Sequence, residues 1–200
     1  MVVDDGSGAA VSAQIPVLHI RHPDGMCTCG GATCHPSWAT FSECGGYRYA
    51  LGRRWADGPA LAVIGHNPST ADESVDDPTI RRCIGFAKRD GFGALLMLNL
   101  CAWRDTNPKG LDLLVDPIGP ENDSAILDGI RTAGRVLAAW GALAGQSKSQ
   151  AVRERAFNVL RLLAPIVPVY ALKVGKDGSP GHPLYLRGDL PMVIYREGRS

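Results

Sequence analysis

Residues 60–69 read Ala-Leu-Ala-Val-Ile-Gly-His-Asn-Pro-Ser, a short apolar run that passes directly into a polar loop. Five consecutive apolar residues are typical of a strand that is buried on both faces. Gly65 and Pro68 end the run, since glycine and proline both interrupt regular structure. The stretch therefore predicts a buried strand whose carboxyl end opens into a loop, as in the parallel sheets of α/β proteins.

The same pattern recurs along the chain. Three further apolar runs follow, at residues 94–100, 135–140 and 167–172. Three amphipathic helical patterns separate the runs, at residues 77–91, 121–131 and 149–163. Strands that alternate with helices indicate a parallel sheet. We therefore expect the α/β class, with a three-layer α/β/α sandwich around a mainly parallel four-stranded sheet and one edge strand at residues 192–195.

Composition and length fit one folded unit. The chain has 200 residues, and the 45% that are hydrophobic supply a core and exclude general disorder. Near residue 46 the sequence changes from a polar, cysteine-rich stretch to alternating apolar runs and helical patterns. We expect a polar leader and a cysteine-rich segment at residues 1–45, followed by one α/β domain at residues 46–200.

No apolar run approaches the roughly 18 residues that span a bilayer, and no basic and apolar secretory signal opens the chain, so we expect a cytoplasmic protein without a membrane partner.

Four of the six cysteines crowd the N-terminal quarter. In a chain without an export signal, such cysteines are more often reduced or metal-bound than paired in disulfides. Thiolates and an imidazole at this density suit a tetrahedral zinc ion. We expect a structural zinc site with ligands from Cys27, Cys29, Cys34, His35 and Cys44. An iron–sulfur cluster and a metal-free loop are the alternatives that the spacing leaves open.

Polar residues follow the predicted strands at the places where each strand ends. Asn67 follows the first strand, Asn99 ends the second, and His182 lies in the loop after the fourth. The ligand crevice of an open parallel sheet lies beyond the carboxyl ends of its strands. We therefore expect these three side chains to converge on one pocket.

This combination of motifs resembles the uracil-DNA glycosylase superfamily over about residues 47–185. The motifs that carry the resemblance are Asn67-Pro68-Ser69-Thr70-Ala71-Asp72, Asp77-Pro78-Thr79, Arg81-Arg82 and His182-Pro183-Leu184-Tyr185. The whole pattern looks closer still to an uncharacterised bacterial and phage domain family that is similar to a divergent branch of that superfamily. The resemblance implies a monomeric DNA glycosylase that excises a modified or damaged base from DNA and needs no cofactor for catalysis.

The resemblance assigns catalytic roles to Asn67 and His182. Gly65 to Ser69 takes the place of the loop that activates water, where the efficient uracil branch carries an aspartate. The amide of Asn67 can orient a water molecule but cannot take its proton. His182 matches the histidine that donates to the departing base, and Asn99 matches the asparagine that reads the base edge. The other residues expected to contact the base are Gly65, His66, Pro68 and Ser69.

The resemblance also bears on the substrate. Ser69 and Thr70 stand where the uracil branch has a tyrosine that excludes substituents at the pyrimidine C5 position. We therefore expect a 5-substituted pyrimidine, such as a modified cytosine of phage DNA. Leu184 and Tyr185 lie where the superfamily inserts a wedge into the duplex. Phosphate contacts are expected from Arg81, Arg82 and Arg187, a local patch that the net charge of +1 conceals.

Two other functions stay open. The acidic stretch at residues 72–77, Asp-Glu-Ser-Val-Asp-Asp, can hold Mg²⁺ for nucleotide hydrolysis. Carboxylates also gather before a helix for a structural reason, because the helix dipole stabilises them, and Asp77 is placed to cap the helix that follows. The second alternative is a DNA-binding module without catalysis.

Overall fold

The computed structural model describes residues 37–198, and its backbone forms one mixed sheet flanked by helices. The strands are β1 (Ser37–Phe41), β2 (Arg48–Arg54), β3 (Ala60–Gly65), β4 (Ala94–Asn99), β5 (Ala133–Ala138), β6 (Val169–Ala171) and β7 (Val193–Arg196). The α-helices are α1 (Pro78–Arg89), α2 (Asn122–Arg131) and α3 (Gln150–Leu163). Short 3-10 helices span Pro108–Leu113, Ala144–Gln146 and Pro183–Tyr185.

The sheet has seven strands in the order β1-β2-β4-β3-β5-β6-β7, so the expected count of four is wrong. The four predicted strands form its parallel centre, β4-β3-β5-β6. Three antiparallel strands extend this centre: β1 and β2 beyond β4, and β7 beyond β6. They cover edges that a four-stranded sheet leaves without hydrogen-bond partners. The edge strand predicted at residues 192–195 is confirmed as β7, and β1 lies within the segment at residues 1–45.

Local signals account for the ends of α1. The Asp77 side chain caps the helix by accepting a hydrogen bond from the Ile80 amide at 2.8 Å, and Pro78 occupies the first turn. Gly91 follows the helix with a φ of +81°, in the left-handed region that glycine adopts without strain. The predicted start and stop of this helix are therefore confirmed.

The two faces of the sheet carry separate cores. On β3, Ala60, Ala62 and Ile64 pack with residues of α2 and α3, whereas Leu61 and Val63 pack with α1. This alternation is what a strand between two helical layers requires. Because β3 lies between β4 and β5, the connection from β4 to β5 passes over it. The crevice at the carboxyl ends opens where the strand order reverses in this way.

None of the helices within residues 37–198 has the length and apolar character that crossing a bilayer requires.

Candidate functional site

A pocket of about 650 Å³ opens at the carboxyl ends of the four parallel strands. This volume falls within the roughly 300–1,000 Å³ that small-molecule sites occupy. Its walls come from the segments that follow β3, β4, β5 and β6. The 3-10 helix Pro183–Tyr185 lies in the last of these segments.

The structure brings most of the candidate residues to this pocket. Those that line it are Gly65, His66, Asn67, Ser69, Asn99, His182, Leu184 and Tyr185. Four other candidates do not line it: Pro68, Arg81, Arg82 and Arg187. The polar side chains that follow different strands therefore share one cavity.

Asn99 is 1% exposed, and neither its Oδ1 nor its Nδ2 has a hydrogen-bond partner among the described residues. Buried amides are ordinarily satisfied, so an unpartnered one in a pocket wall is available to water or to a ligand. Gly65 makes room for it, since a Cβ at that position would lie 2.8 Å from Asn99 Oδ1 and 2.5 Å from Met97 Cε. The glycine that ends β3 thus lets the Asn99 amide lie against the neighbouring strand.

The side-chain NH₂ group of Asn67 is already hydrogen-bonded within the protein. Its Nδ2 donates to the carbonyl oxygens of Pro68 at 3.0 Å and Asp105 at 2.8 Å. Both protons of the amide are therefore used within the protein, and Oδ1 is the atom left to accept a hydrogen bond. An aspartate in this orientation would place an oxygen against two carbonyl oxygens, so the fold itself favours the amide here.

His182 is held in one tautomer by its own loop. Its Nδ1 accepts a hydrogen bond from the Leu184 amide at 3.3 Å, so the neutral ring carries its proton on Nε2. Burial lowers the pKa of His182, an effect that the carboxylate of Asp77 partly opposes. A neutral imidazole with a proton on Nε2 is a hydrogen-bond donor.

Arg82 fixes the position of the His182 loop. From α1, its guanidinium donates to the carbonyl oxygens of Pro183, the first residue of the short 3-10 helix, and Leu186, the residue that follows it. The same guanidinium lies 5.0 Å from the centre of the Phe86 ring. Arg82 therefore has partners within the protein.

His66 follows β3 and is 7% exposed. Burial is the main cause that lowers its pKa to about 4, and the nearby His182 adds to the effect. His66 is thus neutral at neutral pH, and its Nδ1 has no partner among residues 37–198.

Arg48, which the sequence pattern did not single out as a site residue, lines the pocket and is 2% exposed. The register of β1 and β2 shifts at this point: Thr40 pairs with Ala50 but Phe41 pairs with Arg48, which leaves Tyr49 as an extra residue. Such a bulge turns the next side chain toward a different direction. The available signal was a charged residue immediately before the apolar stretch Tyr49–Leu51 of the strand.

The guanidinium of Arg48 donates to the Ala71 carbonyl, and its Nε has no partner among the described residues. Burial lowers the pKa of Arg48 to about 10, so it remains a cation at neutral pH. The pocket therefore contains a positive charge in its wall.

Apolar side chains stand at the rim of the pocket. Leu184 is 39% exposed, Tyr185 is 81% exposed, and Leu143 on the segment after β5 is 48% exposed. Large apolar groups grouped on a surface mark places where other molecules bind. Leu143 is a second residue that the sequence pattern did not reveal.

The remaining basic candidates lie outside the pocket. Arg81 donates to the Asp76 carbonyl, and Arg187 pairs with Asp189 at 2.6 Å with both side chains largely exposed. An exposed pair of this kind contributes little to stability and leaves the cation accessible. Their expected contact with phosphates stays a prediction.

The acidic stretch at residues 72–77 is engaged in structural contacts. Asp72 accepts hydrogen bonds from Ser74 and Val75, Asp76 pairs with Arg53 at 2.8 Å, and Asp77 caps α1. Within residues 37–198, no group of three or more His, Cys, Asp or Glu side chains is arranged to hold a metal ion. The structure thus offers no support for a magnesium site in this stretch.

The predicted zinc ligands fall mainly outside the described residues. These ligands are Cys27, Cys29, Cys34 and His35. Cys44 is described, and its exposed thiol lies 3.2 Å from the Ser42 hydroxyl. The zinc site stays a prediction.

One comparison with known proteins gave a match. The family model described as "Protein of unknown function (DUF1643)" matches residues 48–184, well over half of the chain. The match runs from Arg48 on β2 to Leu184 at the rim of the pocket. Searches of curated proteins and of solved structures returned no match.

Proposed function

This chain belongs to the DUF1643 family, and from the geometry of its strand-end pocket we propose that it is a DNA glycosylase that takes an extruded base into that pocket and hydrolyses its N-glycosidic bond. Enzymes that act on a base within DNA rotate it out of the stack into a pocket that reads its edge. A pocket of about 650 Å³ has room for such a base with a substituent. The product is an abasic site.

The observation that carries this proposal is the unpartnered amide of Asn99. Its 1% exposure and its two free polar atoms leave a donor and an acceptor side by side in the pocket wall. A pyrimidine presents a matching donor and acceptor on its Watson–Crick edge. A bound base would therefore satisfy both atoms of Asn99.

Departure of the base is assisted by His182. When the N-glycosidic bond breaks, the base takes the bonding electron pair and gains negative charge, while the sugar gains cationic character. A donor aimed at the charge that develops contributes about 2.7–4 kcal/mol in comparable sites. The Nε2 proton of His182 supplies such a donor, since the Leu184 amide already occupies Nδ1.

Water attack is oriented by Asn67. The free Oδ1 accepts one hydrogen bond from the attacking water, because Nδ2 is held by two carbonyl oxygens. The hydroxyl of the water bonds to C1′ of the sugar, and the second proton of the water ends on the released base. Asn67 takes no proton at any step.

Contact with DNA uses the rim of the pocket. The exposed side chains of Leu184 and Tyr185 stand beside the mouth and would fill the gap that the extruded nucleotide leaves. Arg81 and Arg187 supply nearby cations for phosphates. Ser69 presents a small side chain to the pocket, which favours a 5-substituted pyrimidine such as a modified phage-DNA cytosine.

The test is an excision assay on oligonucleotides that carry uracil, 5-hydroxymethylcytosine or glucosylated cytosine. Alkali-labile abasic sites in at least one modified strand are expected from the unaltered chain. Loss of about 10²–10³-fold in rate is expected for His182→Ala. Asn67→Ala should also lose activity, whereas Asn158→Ala, on the exposed face of α3, should retain it.

Other outcomes identify the alternatives. Tight binding of the same oligonucleotides without abasic sites would favour a DNA-binding module. Product formed from uracil alone would refute the preference for an enlarged pyrimidine. Nucleotide hydrolysis that EDTA abolishes and that both variants retain would favour a metal-dependent hydrolase.

A further inference from the structure

Arg48 is a buried cation that no carboxylate within the described part of the chain neutralises at short range. It forms no ion pair with any carboxylate of residues 37–198, and its Nε lacks a partner among them. Buried charges are ordinarily paired, because removing an ion from water is costly. An unpaired cation in the wall of a pocket therefore points to an anionic group on the molecule that occupies the pocket.

Asp77 is the carboxylate with the largest electrostatic effect on Arg48, but it does not neutralise the guanidinium. Asp77 also lines the pocket, and its charge acts on Arg48 over a longer distance. Its Oδ1 is already bound to the Ile80 amide at the N-terminus of α1. The dipole of that helix offsets the charge of a capping carboxylate, so Asp77 leaves Arg48 available to a second anion.

The position of Arg48 indicates which part of a base it would meet. Its guanidinium donates to the carbonyl of Ala71, two residues after Ser69, and both Arg48 and Ser69 line the pocket. The guanidinium is therefore bound to the segment that carries Ser69 and lines the same pocket. Arginine binds carboxylates and phosphates through paired N–H donors.

Resting on the proposed function, we propose that Arg48 binds an oxyanion carried by the base in this pocket, so that the substrate is a pyrimidine with an acidic 5-substituent. Asn99 reads the edge of the ring, and Arg48 reads the substituent. A phosphate of the same nucleotide has the same oxyanion chemistry, and the experiment separates these two sources.

The experiment is calorimetric titration of the full chain with three free bases and two nucleotide probes. The bases are 5-carboxycytosine, its neutral isostere 5-carboxamidocytosine, and cytosine. The other probes are 2′-deoxycytidine and its 5′-monophosphate. We expect 5-carboxycytosine to bind about 10- to 100-fold more tightly than the carboxamide, the range for a hydrogen bond to a charged group.

Two arginines of β2 make a matched pair of variants. Arg48→Gln should remove the preference for the carboxylate. Arg53→Gln should keep it, because Arg53 is also buried but pairs with Asp76 and does not line the pocket. If Arg48→Gln fails to fold, the ratio of acid to amide binding in the unaltered chain still decides.

Equal binding of the acid and the amide, or no binding of the acid, would overturn the proposal. An Arg48-dependent preference for the monophosphate over the nucleoside, without one for the carboxylate, would place the oxyanion on the phosphate and overturn the acidic substituent. Free bases contain no glycosidic bond, so the result is independent of catalysis. A carboxylate preference without excision from any oligonucleotide would keep this inference and refute the glycosylase.

Discussion

The replacement Asn99→Leu separates a ligand-binding amide from a structural one. Leucine has nearly the shape of asparagine but leaves no polar atom in the pocket wall. A buried polar group without a partner costs about 1–3 kcal/mol, and Asn99 has two such atoms. Because the pocket admits solvent, we expect the lower end of this range, a rise of about 1 kcal/mol in the free energy of unfolding.

The matched control is Asn122→Leu, at the start of α2. Asn122 is also fully buried, but its Nδ2 donates to the carbonyl oxygens of Asn99 at 3.1 Å and Leu100 at 2.9 Å, and it does not line the pocket. Losing these bonds should lower the free energy of unfolding by about 1–3 kcal/mol.

Urea denaturation, read with the excision assay, checks both variants. The expected pattern for Asn99→Leu is an equal or higher urea midpoint together with loss of base binding and excision. A change of 1 kcal/mol moves the melting temperature of a domain of this size by about 2–4 °C, which is readily measured. A loss of stability in Asn99→Leu as large as that in Asn122→Leu would refute the assignment of Asn99 to a ligand.

Three further changes follow from the geometry of the pocket. Asn67→Asp should lower the free energy of unfolding by about 1–3 kcal/mol at pH 7 without raising the excision rate, because a carboxylate oxygen would face two carbonyl oxygens; an increase in rate would contradict this. Gly65→Ala should displace the Asn99 amide and abolish base binding, whereas Gly85→Ala on α1, where a Cβ meets nothing within 4 Å, should raise stability by about 0.5–1 kcal/mol; calorimetry and melting curves check the pair. His66 has its pKa lowered from 6.5 to about 4 in the folded chain, so its contribution to stability is complete above pH 6.5 and is lost as the pH falls toward 4, by up to about 3 kcal/mol. Urea midpoints at pH 7 and pH 4.5 should therefore differ less in His66→Leu than in the unaltered chain, and an equal difference would show that His66 is not the group responsible.

Some properties of this protein are visible in short stretches of its sequence. The parallel strands and the three α-helices follow from apolar runs and helical periodicity, and the cap of α1 follows from Asp77 and Pro78. The order of these elements alone predicts that three polar side chains meet at one edge of the sheet, because parallel strands share one carboxyl edge. These side chains are Asn67, Asn99 and His182.

The antiparallel strands depend on pairing between distant segments. Strand β2 carries three arginines in seven residues, and its sequence does not say which strand lies beside it. Arg48 and Arg53 are buried because they bind carbonyls and a carboxylate of residues 71–76, about twenty positions away. The bulge that turns Arg48 toward the pocket depends on the register with β1.

The chemical state of the site also required the tertiary structure. The sequence determined which residue types reach the pocket, because strand ends and loops are specified by local periodicity and by glycine and proline. Only the folded chain decided which of their atoms are already occupied: Asn67 Nδ2 is bound to Asp105 of another loop, and Arg82 holds a loop about a hundred residues away. Hydrogen-bond partners are set by position in space and not by distance along the chain. The strand order alone made Asn99 a candidate, but only the folded chain shows that its amide lacks a partner among the described residues and that Arg48 lines the same pocket.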